Sequence, residues 1–286
     1  MDVPTTMEPH VFAAVLAAAA MHAGWNSVLK VRLEPLVSMT LITVCAAVVA
    51  TPALLWFGFP RWEAWPWLIA SIVLHLGYYI TLTEAYRRAD MGQVYPIARG
   101  GAPLLTTAAT LFLLREPVGL QGGLGIAILA SGVILISMRG GRARGFDPVA
   151  VAFALATAAI ICGYTLVDGI GARTAGDPHA YSAALFVLDV FPLLAFAFWR
   201  RSAAELATMK SFVGPGILGG AMSVGAYWIA IWAMTVAPIA LVAALRESSV
   251  LFAVLIAVFI LKEPFLPIRA VAAALIIAGI ALIRLQ

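Results

Sequence analysis

Residues 93–138 read QVYPIARGGAPLLTTAATLFLLREPVGLQGGLGIAILASGVILISM, and residues 240–283 read ALVAALRESSVLFAVLIAVFILKEPFLPIRAVAAALIIAGIALI. The two stretches align without a gap. Arg99 falls on Arg246, Phe112 on Phe259, Leu114 on Leu261, Glu116 on Glu263, Pro117 on Pro264, Ala127 on Ala274 and Gly132 on Gly279. Each copy is an apolar run holding one arginine, then a basic–acidic–proline turn, then a second apolar run rich in small residues. A repeat spaced at roughly half the chain length means that two similar halves build the protein.

Composition says where those halves reside. Hydrophobic residues are 63% of the 286 and charged residues 11%, against about 25% charged in soluble domains. Long apolar runs joined by short charged turns specify an all-α, multi-pass membrane protein with the lipid bilayer as its solvent. The runs are continuous and not alternating, which excludes a transmembrane β-barrel. The net charge of +4 sits in the turns, without a basic cluster interleaved with aromatics, so no nucleic-acid partner is expected. Cys45 and Cys162 lie in separate apolar runs and read as small buried hydrophobes. The first ten residues, MDVPTTMEPH, carry no Lys or Arg, so the first run reads as a retained helix and not a cleaved signal.

Ten runs approach the ~20 residues needed to cross a bilayer. They are His10–Leu29, Leu36–Phe57, Trp65–Tyr86, Gln93–Leu114 and Val118–Met138, then Pro148–Gly169, His179–Trp199, Phe212–Met234, Pro238–Leu261 and Pro267–Ile283. The polar, basic segment 139–147 divides them five and five, giving a first repeat over 1–138 and a second over 148–286. Pro35 opens the second run as Pro178 opens the seventh. Five is odd, so the second half enters from the opposite side and the two five-helix repeats are inverted. Inverted repeats typify secondary transporters, with the substrate site between the halves near the midplane. Lys and Arg are sparse on the side of Arg61, Arg115, Arg173 and Arg284 and abundant on the other, which the positive-inside rule assigns to the cytoplasm.

Helix packing is expected along Gly123, Ala127 and Ser131 in the fifth run and Ala270, Ala274 and Ala278 in the tenth, because small residues four apart let helices approach closely.

Polar groups within these runs are the candidate site, since charge at the bilayer centre is costly. Arg99 and Arg246 each lie about 10 Å into their helices. Inversion places them at opposite depths, where each would guard one mouth of a central cavity and engage a substrate carboxylate; snorkelling or a static ion pair is the plainer role. Glu84 and Asp168 fall near run ends and read as interfacial. Asp189, mid-run, and Glu247 are candidates for gating or proton coupling, with Pro96 marking the bend of the fourth helix beside Gly100, Gly101 and Pro103. His22, Trp25 and Asn26 in the first run, His75, Tyr78 and Tyr79 in the third, Tyr95 in the fourth, Tyr164 in the sixth, and Tyr227 and Trp228 in the eighth carry polar tips on apolar bodies and would line an amphipathic pocket. No phosphate loop, nucleophile motif or metal-spaced His/Cys set is present, so neither enzymatic activity nor a cofactor is expected.

Ten helices in a five-plus-five repeat, each half carrying an apolar helix that runs into FLLREP or FILKEP, resemble the EamA family of the drug/metabolite transporter superfamily. The resemblance covers essentially the whole chain. It implies a gradient-driven carrier of the bacterial inner membrane that works as a monomer and exports amino acids or related metabolites, with the exporters of aromatic amino acids as the nearest functional picture. The four-helix relatives carry a glutamate in their first helix; His22 occupies that helix here, which departs from carboxylate-based coupling. Efflux of lipophilic cations or drugs by proton antiport is the alternative, and an intramembrane lipid-modifying enzyme a more distant one.

Overall fold

The computed structural model describes residues 6–28, 33–88, 94, 96–137, 148–260, 262 and 267–286. The linker 139–147, Tyr95, Gln93 and the Glu263–Pro264 turn lie outside the described residues, as do the side chains of Asn26 and Pro96.

The described chain is helical throughout. α1 spans Pro9–Val28, α2 Pro35–Phe57 and α3 Trp65–Arg88. α4, Gly101–Ala109, is flanked by π turns at Pro96–Gly100 and Thr110–Leu114. α5 spans Leu120–Ser137, α6 Pro148–Thr174 and α7 Pro178–Arg200. A short α8, Ala203–Ala207, leads into α9, Val213–Val236. α10, Ile239–Arg246, and α11, Ser249–Leu255, follow one another across Glu247 and Ser248, and α12, Pro267–Arg284, closes the chain. Among the described residues, seven segments are long and apolar enough to cross a bilayer: Leu36–Phe57, Trp62–Leu82, Ile97–Leu114, Pro148–Thr174, Pro178–Arg200, Ala203–Val236 and Pro267–Arg284. Leu55, Trp56 and Phe112 are more than 80% exposed, as suits side chains that face lipid or its interface.

Local chemistry sets the helix ends. Pro35 and Pro178 each occupy the first turn, where a missing N–H costs nothing. Each follows an acid that caps the helix. Glu34 accepts from the Leu36 and Val37 amides at 3.1 and 3.3 Å, and Asp177 from the His179 amide at 2.8 Å. The two repeated turns share a rarer device. Arg115 and Lys262 adopt the left-handed conformation at φ 54° and 57°, a few-per-cent state for a side-chain-bearing residue, and each stands just past a π turn. Equivalent residues thus terminate equivalent helices in both halves.

Inter-helix contacts come in exchanged pairs. α1 packs on α9 as α3 packs on α6, while α2 meets α7 and α5 meets α12. Glycines lie along both the α1–α9 and the α3–α6 contact. A Cβ at Gly24 or Gly225 would run into Met222 or Met21 respectively, across the α1–α9 contact. Across α3–α6, Gly77 faces Ile160 and Gly163 faces Leu74 at 3.5 and 3.4 Å.

The α5–α12 seam lies on another face than expected. Gly123 has nothing within 4 Å of an added Cβ, and Ala127, Ser131, Ala274 and Ala278 are exposed. The close approach uses Gly125, Gly132, Ala272 and Gly279 instead. A Cβ on Gly279 would stand 2.7 Å from the Gly125 carbonyl oxygen, and one on Gly132 2.8 Å from that of Ala272. Two residues along a helix is about 200° of rotation, so a stripe displaced by two positions faces lipid.

One end of the molecule is tied by ionic chemistry. Glu116, in the repeated turn, pairs with Arg173 at the end of α6 and accepts from the Ile239 amide at 3.0 Å, capping α10. Arg173 also donates to the carbonyls of Met234 at 2.8 Å and Ala237 at 3.3 Å. At the other end Arg201 binds Glu34 through two donors, at 2.6 and 3.2 Å.

Candidate functional site

The helices converge on a cavity of about 110 Å³. His22 and Trp25 of α1, His75, Tyr78 and Tyr79 of α3, Arg99 of the π turn before α4, Tyr164 of α6, Asp189 of α7, Tyr227 of α9 and Arg246 of α10 all line it. Ten side chains singled out from the sequence therefore meet in one space.

Its aromatic wall is built edge to face. His75 stacks on Tyr164 with ring centres 4.4 Å apart, and Tyr78 and Tyr227 each meet Tyr164 nearly perpendicularly at 6.1 Å. The Arg246 guanidinium lies over the Tyr227 ring, 4.6 Å from its centre, a cation–π contact that holds the charge at the cavity wall. The Trp25 indole N–H reaches His22 Nδ1 at 3.3 Å, and His22 Nε2 is 3.4 Å from an Arg99 nitrogen.

Arg99 and Arg246 do not stand at separate mouths. Both line this cavity and also a small void that Glu247 lines as well. The Arg99 guanidinium lies 3.1 Å from the Glu247 carboxylate. The reason is length. Starting ~10 Å from opposite faces of a ~30 Å core, the two backbones are only ~10 Å apart in depth, a gap that two arginine side chains cover. The bending element also differs from expectation: the second copy is interrupted as well, without a proline. Past Arg246 the chain tightens, with Glu247 N bonding Ala244 O at 3.0 Å and Ser248 N bonding Leu245 O at 3.1 Å, before α11 resumes. Interrupted helices lining a central cavity are how transporters present backbone and charge to a substrate.

Asp168 corrects the sequence reading most sharply. α6 continues five residues beyond Gly169, and Gly169 and Gly171 let the side chains of Ile239 and Tyr181 lie close against their bare backbones. Asp168 is consequently fully buried. The Tyr181 hydroxyl donates to its Oδ1 at 3.0 Å, and the Tyr227 hydroxyl donates to its Oδ2. Asp189 is 8% exposed and accepts from the Tyr79 hydroxyl at 3.3 Å. Its Oδ1 has no hydrogen-bond partner among the described residues.

Trp228 does not join the cavity. Its indole donates to His179 Nδ1 at 2.8 Å, and His179 is stacked between it and Phe57. Apart from Asp189, the wall residues of α2 and α7 were not announced by the sequence. Met39, Ile42, Thr43 and Ala46, with Leu185 and Phe186, line the cavity; on α2 the hydroxyl residues Ser38, Thr40 and Thr43 were the available signal.

With this geometry in view, comparison with known proteins is informative. The profile of the EamA-like transporter family matches residues 10–138 and again 149–285. The chain belongs to the EamA-like transporter family. This EamA protein is accordingly a multi-pass membrane transporter of the drug/metabolite type, and its small-molecule substrate crosses a lipid bilayer. A solved structure, titled only "Crystal structure of protein", is similar at a TM-score of 0.74 and 20% identity, with 95% of each chain covered; at that identity the likeness concerns the fold. No curated protein matches the sequence at a significant level.

Proposed function

We propose that this transporter exports amino acids, aromatic ones included, and related small amphipathic metabolites across the bacterial inner membrane by alternating access, working as a monomer. In this reading ten crossings form two inverted repeats, 1–138 and 148–286, joined by 139–147. α4 with its π turns is one crossing, α10 and α11 together another. The exchanged helix contacts and the twin left-handed turn residues support it.

One observation carries the substrate class. A single cavity holds a guanidinium, Arg246, that makes no ion pair among the described residues, and a carboxylate oxygen, Asp189 Oδ1, that has no donor. Buried polar groups are ordinarily satisfied, so the pair asks for a ligand carrying both an anion and a cationic donor. A zwitterionic amino acid supplies a carboxylate for Arg246 and an ammonium for Asp189. Its side chain meets the aromatic wall and Phe186. Arg99 is committed to Glu247 and sets the position of the α10–α11 break.

Efflux of lipophilic cations keeps one specific support, the same Asp189 oxygen among aromatic rings. Counterflow in proteoliposomes with a panel of labelled amino acids, alongside a lipophilic cation, separates the two. Exchange of amino acids is expected. Exchange of the cation with no amino acid exchanged would overturn the amino-acid reading.

A further inference from the structure

We propose that Tyr227 and Asp168 are positioning residues of the substrate site: Tyr227 seats the Arg246 guanidinium, and Asp168 anchors Tyr227. The two cavity arginines are held in different ways. Arg99 is fixed by a carboxylate, that of Glu247, at 3.1 Å. Arg246 makes no ion pair among the described residues. It lies instead over the Tyr227 ring, 4.6 Å from the ring centre. A guanidinium paired with a carboxylate commits its N–H fork to that partner. One that rests on a ring face is attracted by the ring quadrupole and keeps the fork for a ligand.

The seat is itself fixed. The Tyr227 hydroxyl donates to Asp168 Oδ2, and the Tyr181 hydroxyl donates to Oδ1 at 3.0 Å. Both oxygens of this fully buried carboxylate are therefore engaged, which sets its plane. Gly171 gives Tyr181 room, since a Cβ there would stand 2.6 Å from the Tyr181 hydroxyl. Three more rings meet Tyr227 steeply: His75 at 5.8 Å and 76°, Tyr164 at 6.1 Å and 84°, and Phe186 at 6.4 Å and 87°. Side chains of α3, α6, α7 and α9 thus hold one phenol ring, and the guanidinium from α10 lies on it.

Asp168 also acts on the ring electrically. A phenol that donates to a carboxylate is more polarised than one that donates to a neutral acceptor. That polarisation deepens the negative face beneath Arg246. Asp168 offsets part of the cost of holding a cation inside the protein, one phenol away. Its oxygens are occupied by hydroxyls, so it does not compete with a ligand for the guanidinium. A substrate carboxylate meets an aligned, uncommitted fork, and the ordering cost is met before it arrives. This last step rests on the carboxylate recognition at Arg246 proposed above.

The test is the preference for phenylalanine over 2-phenylethylamine as inhibitors of labelled phenylalanine counterflow. Tyr227→Leu removes the seat, and the preference should fall at least about threefold. Tyr227→Phe keeps the ring and loses the anchor, and the preference should fall about twofold or more. In both variants the loss should fall on phenylalanine, with inhibition by the amine unmoved. Equal weakening of both ligands assigns Tyr227 a merely structural role and overturns the proposal, as does a wild-type preference in Tyr227→Leu. A wild-type preference in Tyr227→Phe overturns the part given to Asp168. Should Tyr227→Leu not fold, Tyr227→Phe decides alone. A wild type without any preference sinks the substrate reading and not the seat, which melting of the substrate-free protein then decides. Tyr227→Leu and Arg246→Met delete the same contact. The double variant should melt at least about 1 °C above the temperature that the summed single losses give, and additive losses overturn the seat.

Discussion

Arg99 and Glu247 meet at 3.1 Å, each at an interruption of its own helix and each almost fully buried. The ion pair is the bolt between the π turn before α4 and the break between α10 and α11. Breaking such a pair from one side strands a buried charge, at a cost of about 3–5 kcal/mol, whereas replacing both partners by apolar residues is often nearly neutral. Thermal unfolding of the purified protein should therefore rank Arg99→Met and Glu247→Leu singly well below the Arg99→Met/Glu247→Leu double variant. A double variant less stable than either single one would show that the pair is not the principal interaction there.

The α5–α12 seam makes a prediction about methyl groups. Gly132→Ala and Gly279→Ala each place a Cβ under 3 Å from a neighbouring backbone atom and should destabilise by about 1–3 kcal/mol. Gly123→Ala enters open space and should stay within about 0.5 kcal/mol of wild type. Unfolding temperatures of the three variants in one detergent check the contrast.

Glu116 serves two partners, Arg173 and the Ile239 amide. Glu116→Ala strands both and should cost on the order of 3 kcal/mol. Glu116→Gln keeps an acceptor for the amide and should lose less. Equal losses would assign the stabilisation to charge alone.

Trp228 and Phe186 separate wall from scaffold. Phe186 lines the cavity and meets Tyr227 edge to face at 6.4 Å, while Trp228 is engaged with His179. Loss of an aromatic contact is worth about 1 kcal/mol, so Phe186→Ala should weaken half-saturation for an aromatic amino acid several-fold. Trp228→Phe should leave it within about twofold. Concentration series of counterflow read both.

Much of this was legible in advance, for identifiable reasons. The basic residue of the repeated turn has a local backbone role in both copies: Arg115 and Lys262 each sit at positive φ. Membrane spans follow from composition, and the polar-tipped aromatics stood out against an apolar background. What stayed hidden depended on rotation and long-range partners. Two stripes of small residues were available on α5, and nothing local says which faces α12. Asp168 looked interfacial because its partners, Tyr181 and Tyr227, are 13 and 59 positions away. The meeting of Arg99 with Glu247 required two helix breaks, one of which has no proline to announce it.

The central claim is that Arg246 receives the substrate carboxylate, and Arg246→Gln tests it most directly. Charge-assisted hydrogen bonds are worth about 1.5–3 kcal/mol, or roughly 10–100-fold. Inhibition of labelled phenylalanine counterflow should be measured with unlabelled phenylalanine and with 2-phenylethylamine, which lacks the carboxylate. Wild type should prefer phenylalanine at least about tenfold, and in Arg246→Gln that preference should collapse. A variant that keeps the wild-type preference would contradict the account.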